Sequence, residues 1–209
     1  MLRILAPFLV AALAGGPARA DEDRSRDSLQ GRNGLAVTIG LGAMDFLGGA
    51  AREALTDTPG LYADLRAVYR TRRRLAAEVA FTRSQRHVLP GWVRSRNGWL
   101  FGQSFEAALR VNHPTPVGRL FLSPFALAGL GWTDFSPPDD RDPQTRAQRL
   151  DRAGIVPLGV GFAASLGNLY GEVRFVYRPT FSTDLFTPAP SGGPSMQAWF
   201  AGVAVGVEL

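Results

Sequence analysis

Residues 61–70 read LYADLRAVYR. At a period of two, Leu61, Ala63, Leu65, Ala67 and Tyr69 fall on one face, and Tyr62, Asp64, Arg66, Val68 and Arg70 on the other. A β-strand sends alternate side chains to opposite sides, so this segment is a strand with one oily face and one charged face. The same alternation runs through seven other stretches. Leu169–Arg178 sets Leu169, Val173, Phe175 and Tyr177 against Tyr170, Glu172, Arg174, Val176 and Arg178, and Leu75–Arg83 sets Leu75, Ala77, Val79 and Phe81 against Ala76, Glu78, Ala80 and Thr82. Trp99–Val111 places Glu106 and Arg110 opposite Trp99, Phe101, Phe105 and Leu109, with Gln103 as a polar intruder on the apolar side. Asn33–Phe46, Gly118–Thr133, Ile155–Leu166 and Gln197–Leu209 complete a set of eight, with Pro124 weakening the fifth because proline removes a ladder donor.

The connections alternate as regularly as the residues. Those after strands one, three, five and seven are long, at roughly 43–60, 84–98, 134–154 and 179–196. Those after strands two, four and six are Arg72–Arg74, Asn112–Val117 and Gly167–Asn168. Long loops at one end and tight turns at the other describe a meander closed into a barrel that crosses an outer membrane, with the turns periplasmic. Strands of about 9–11 residues match the thickness of that membrane. The fold expected is therefore all-β, an eight-stranded antiparallel up-and-down transmembrane β-barrel. Its rival is a secreted soluble barrel of the ligand-carrying type, in which the apolar faces would point inward.

The chain begins with Arg3, a short apolar run and Pro17–Ala18–Arg19–Ala20, the pattern of a secretory signal cut after Ala20. The expected organisation is a signal peptide over 1–20, a polar linker over 21–32 and the barrel over 33–209. No cysteine follows the cut, so a lipid anchor there is excluded, as are disulfides, thiol nucleophiles and Cys-ligated metals. The chain's two His supply few further ligands, and no cofactor is expected. All 23 basic residues are Arg against 18 acidic ones, a formal charge of +5 that falls when Arg3 and Arg19 leave with the signal. Arg72–Arg73–Arg74 sits in a tight turn without interleaved aromatics, so no nucleic-acid partner is expected.

On this threading Asp64, Arg66, Arg70, Glu78, Glu106, Arg110, Glu172, Arg174, Arg178 and Glu208 point into the barrel. An eight-stranded barrel has room only for its own side chains, so these groups are expected to pair as a salt-bridged plug, with inward glycines making space for the Arg stems. A narrow ion channel is the alternative use of the same residues. On the apolar face Trp99, Trp132, Tyr177 and Trp199 mark the outer ends of their strands and Tyr69 an inner end, the arrangement of an aromatic girdle. An enzymatic alternative, a lipid A or phospholipid hydrolase, would use His87, placed just past the third strand with Ser84 and Ser95 nearby. His113 lies in a periplasmic turn without a nucleophile motif. Of the external segments, 47–58 has short helical propensity and 137–152 is a charged, aperiodic loop. Segment 179–196 offers Phe181, Leu185 and Phe186 to an extracellular protein or surface ligand, or as a cap on the barrel mouth.

With these features assembled, the chain resembles the small outer-membrane β-barrels of Gram-negative bacteria, the OmpA-like and OmpX-like eight-stranded barrels. The resemblance is architectural and covers roughly 33–209. Its most specific local feature is the closing segment QAWFAGVAVGVEL, Gln197–Leu209, which resembles the last strand read by the outer-membrane assembly machinery, although it ends in Leu209 where the family has an aromatic residue. The resemblance implies an integral outer-membrane location, insertion by that machinery and contact with outer-membrane lipids and lipopolysaccharide. It carries no wall-binding domain and no single activity. The function expected is a non-enzymatic structural or surface-interaction role.

Overall fold

The computed structural model of the chain describes residues 34–47, 58–71, 74–87, 99–136, 151–181 and 197–209. Within them the regular structure is strand: β1 Gly34–Leu47, β2 Gly60–Arg70, β3 Leu75–His87, β4 Trp99–Asn112, β5 Thr115–Val117, β6 Leu120–Ser136, β7 Asp151–Ile155, β8 Leu158–Leu166, β9 Leu169–Arg178, β10 Thr180–Phe181 and β11 Gln197–Glu208. Each strand pairs antiparallel with its neighbour, and β1 pairs with both β2 and β11, so the sheet closes on itself. The closed ring runs β1, β2, β3, β4, β6, β8, β9, β11 and back to β1, an eight-stranded barrel without a free edge.

Two of the staves are broken by proline. Expected as one strand from Ile155 to Leu166, the sixth is instead β7 and β8 separated by Val156–Pro157, and Pro179 separates β9 from β10 in the same way. The register does not slip across the gap: β8 pairs Leu158 with Ala128, β7 pairs Ile155 with Gly131, and the Gly129 N–H donates to Pro157 O between them. A proline cannot return a ladder bond but its carbonyl still accepts one, so the strand is interrupted without being redirected. Pro124 lies inside β6, and its carbonyl takes the His113 N–H at 2.9 Å. The third strand runs four residues further than expected, to His87.

Both two-residue turns at the short-loop end begin on glycine, Gly118 at φ 64° and Gly167 at φ 58°. That left-handed backbone costs glycine nothing. In the β2–β3 turn the same region is occupied by Arg74, at φ 36°. Residues 1–33, which carry the expected signal and linker, lie outside the described residues, as do most of the segments 47–58, 137–152 and 179–196.

Burial is inverted relative to a soluble protein. Leu41, Leu65, Val79, Leu109, Leu130, Phe162 and Val205 are exposed, Leu109 by 72%, whereas Arg66 and Arg110 are buried to 3% and 1%. The apolar faces therefore point outward, which excludes the soluble ligand-carrying barrel. Two apolar clusters remain inside. One, at the long-loop end, gathers Met44, Phe46, Tyr62, Leu100, Phe135, Val176, Ala198 and Phe200. The other, at the short-turn end, gathers Ala36, Val68, Ala76, Phe125, Leu127, Ala163 and Tyr170.

The inward glycines make room for rings and for the close approach of neighbouring strands more than for Arg stems. A methyl on Gly202 would run into the Tyr62 hydroxyl and the Leu41 carbonyl, and one on Gly161 into the Phe125 ring. Charged groups gain room at Gly40, whose missing side chain is filled by Asp64 and Arg66, and at Gly131, against the Glu106 stem.

Candidate functional site

Between the two apolar clusters lies a belt of charge. Alternation aims Asp64 and Arg66 of β2, Glu78 of β3, Glu106 and Arg110 of β4, and Glu172, Arg174 and Arg178 of β9 into the lumen, where all their side chains are almost wholly buried. Glu172 is the hub. It accepts from Arg66 Nη1 at 2.5 Å, Arg110 Nη1 at 2.8 Å, Arg174 Nε at 2.5 Å and the Tyr170 hydroxyl at 2.8 Å. Arg66 also bonds Asp64, and Arg174 reaches Glu78 through two N–H groups at 2.6 and 3.0 Å. Arg110 is engaged on all three nitrogens, with Nε on Asn112 at 2.7 Å and Nη2 on the Tyr170 hydroxyl at 2.9 Å. Arg178 pairs with Glu106 at 2.6 Å.

Four arginines meet four carboxylates in this belt, so burial does not leave a net charge. Such balance is what permits ions in a low-dielectric interior, where an unpaired one costs several kcal/mol. Aromatic faces close the belt at both ends. Arg110 lies over Phe125 with its guanidinium carbon 3.4 Å from the ring centre, and Arg178 over Phe200 at 3.7 Å. Each cation thus rests on the apolar cluster at its end of the lumen, an attraction that strengthens with desolvation.

The remaining sequence-predicted charges sit apart from the belt. Arg70 and Glu208 pair with each other near the short-turn rim, partly open to solvent. At the other rim stands a pair that the sequence reading missed, Arg86 with Asp45 at 2.9 Å, with Arg86 also donating to the Thr58 carbonyl. Ending the third strand at Arg83 hid it; continuing the alternation through Glu78, Ala80, Thr82 and Ser84 reaches Arg86 on the inward face. Tyr170, Asn112, Phe125 and Phe200 were likewise overlooked as partners, because alternation identifies a face and not the contacts across it.

Trp99, Trp132, Tyr177, Trp199 and Tyr69 all lie on the outer face. Trp132 is directly opposite Phe105, and the two rings stack at 5.4 Å, with Phe81 next in the same row at 4.8 Å from Phe105. Trp199 stacks on Phe175 at 6.3 Å, and the Tyr177 hydroxyl donates to Gln197 at 2.6 Å. Two residues toward the long loops from the Phe81–Phe105–Trp132 row, the outer face turns polar at Arg83, Gln103 and Asp134, which occupy one cross-strand row.

His87 is the last residue of β3 rather than a loop residue, and it meets Trp99 edge-on at 5.1 Å. Ser84 is buried on the inward face of the same strand, three positions away, so the strand wall separates it from the outward-facing His87. Ser95 lies outside the described residues. Among the described residues no group of three or more His, Asp and Glu is arranged to hold a metal ion.

Charge belt, closed sheet and apolar exterior together define a closed β-barrel of the membrane-spanning type. Neisserial surface protein A has the same fold: its crystal structure superposes with a TM-score of 0.57 at 13% identity, over 83% of this chain and 96% of that one. The N-terminal barrel of Pseudomonas aeruginosa OprF matches at 0.46 and 13% identity over 85% and 100% of the two chains. Yersinia pestis Ail, crystallised with the heparin analogue sucrose octasulfate, matches at 0.47 and 14% identity over 85% and 99%. No family model matches the sequence, and no curated protein matches it.

Proposed function

We propose that the chain is an integral outer-membrane protein of the small eight-stranded class, with a closed interior and a structural or surface-interaction role exerted through its long loops. The observation that carries this reading is the inversion of burial: a closed wall of exposed Leu, Val and Phe around a neutralised core of buried Arg and Glu. Such a wall is stable in hydrocarbon and a liability in water. The outer-face aromatics are read as the girdle at the membrane boundaries, with the row Arg83, Gln103 and Asp134 in the headgroup layer of an outer leaflet of lipopolysaccharide. In this account the signal is removed after Ala20, and the assembly machinery inserts the barrel by reading β11.

The charge belt serves as a plug. Its four arginines and four acids balance in charge, and Phe125 and Phe200 cap them, so the interior supports neither a continuous water-filled path nor a bound cofactor in this reading. The hydrolase alternative lacks support, because Ser84 and His87 occupy opposite faces of β3. Membrane fractionation with an unboiled-versus-boiled gel tests the proposal. The expected result is outer-membrane association and a mobility difference on boiling; a soluble protein with one mobility would overturn it.

A further inference from the structure

One cation of the belt is only partly engaged. Arg178 is buried to 6% exposure and uses Nη2 alone, toward Glu106 and toward the Thr82 hydroxyl at 3.2 Å. Its Nε and Nη1 have no hydrogen-bond partner, and neither has the nearby buried Thr180 hydroxyl. Arg178 and Thr180 line the same cavity of about 20 Å³, walled by Phe46, Phe135 and Phe200, with the Ser84 and Thr133 hydroxyls on its polar side. A buried N–H group without an acceptor loses its hydration with nothing in return, and a charged one loses more. The geometry therefore calls for an acceptor in that space.

Water and a halide ion are both small enough, and the charges decide between them. The belt is already balanced, Arg66, Arg110, Arg174 and Arg178 against Asp64, Glu78, Glu106 and Glu172, so an anion would add an uncompensated charge to a desolvated interior. A water adds none. It accepts from Arg178 and donates to hydroxyl oxygens, of which the cavity has several. The volume fits one or two, since a buried water needs roughly 10–15 Å³ and two to four polar partners.

We propose that this cavity is a built hydration site, in which one or two ordered waters accept from Arg178 Nε and Nη1 and bridge to Thr180. The site explains how Arg178 is held with a single carboxylate where Arg174 has two. It also makes the belt asymmetric, because Arg110, at the opposite end, is saturated by protein groups alone. Crystals of the refolded protein grown in sodium bromide, with data collected at the bromine edge, test the assignment. The expected result is density within about 3.2 Å of Arg178 Nε with no anomalous signal. A bromide peak there, or no density, would overturn it. In solution, an ¹⁵N-arginine sample should give a cross-peak between water and the Arg178 Nε–H that is lost in Ala198→Leu, which fills the cavity, and kept in the outward control Ala201→Leu. A cross-peak that survives Ala198→Leu would also overturn the proposal.

Discussion

Arg174 on β9 and Glu78 on β3 stand on diametrically opposite staves of the barrel and meet through two parallel N–H···O bonds of 2.6 and 3.0 Å. The pair spans the lumen, so the interior is bridged from wall to wall by charge. Fork-to-fork pairing of this kind is geometrically demanding as well as strong, which fixes how far apart the two strands can sit.

Glu172 is the group whose loss the belt tolerates least. Glu172→Gln leaves Arg66, Arg110 and Arg174 sharing one carboxylate fewer, and breaking a buried network by one partner costs about 3–5 kcal/mol. Arg70→Ala breaks the partly exposed rim pair with Glu208 and should cost about 1 kcal/mol or less. Urea unfolding in lipid vesicles, followed by tryptophan fluorescence, compares the two; equal losses would contradict the distinction between belt and rim.

Glycine substitutions separate the two faces of the wall. Gly202→Ala drives a methyl into the Tyr62 hydroxyl and the Leu41 carbonyl, and overpacking of this kind costs about 1–3 kcal/mol. Tyr62→Phe should restore only part of that loss, because the Leu41 backbone cannot retreat. Gly171→Ala, whose methyl meets nothing closer than the Ala204 carbonyl at 3.8 Å, should leave the unfolding midpoint unchanged or raise it.

The turn between β2 and β3 stores strain that a substitution can release. Arg74 holds φ 36°, a region that costs a residue with a Cβ about 1–2 kcal/mol. Arg74→Gly should therefore stabilise the barrel by about 1 kcal/mol, and Arg74→Val should destabilise it. Unfolding midpoints of the two variants should move in opposite directions.

The proposed plug leaves no path for current. Purified protein in a planar bilayer should give no steps above the bare-membrane baseline. Steady conductance of the folded barrel would show that the clusters around Phe125 and Phe200 do not close it.

Most of this architecture was legible in the sequence because lipid and lumen demand opposite chemistry, and a strand alternates between them at every residue. Leu61–Arg70 displays both demands, with Val68 the one aliphatic residue on its inward face, and β2 begins within one residue of the expected position. The reading went astray where a different constraint governs. Pro157 and Pro179 interrupt their staves because proline lacks a donor, a backbone property that hydrophobic alternation does not register. The alternation ends four residues short of the β3 terminus because Arg83 and Gln85 place polar groups on the outer face just where the apolar pattern stops. Alternation also fixes direction without fixing height. Trp132 reads as a strand-end ring, yet β6 runs on to Ser136 and strand register sets Trp132 beside Phe105. The pairing of Arg174 with Glu78, 96 residues apart in sequence, depends on that same register and on barrel closure.

The most direct test of the central claim, that the oily faces meet lipid and the charged faces meet one another, uses the absence of native cysteine. Single cysteines at Val203, Ala204 and Val205 of β11, each carrying a nitroxide in reconstituted vesicles, report access to oxygen dissolved in the hydrocarbon. The account predicts high oxygen accessibility at 203 and 205 and low accessibility at 204, matching exposed valines on either side of a buried alanine. Equal accessibility at all three positions, or the reverse order, would contradict it.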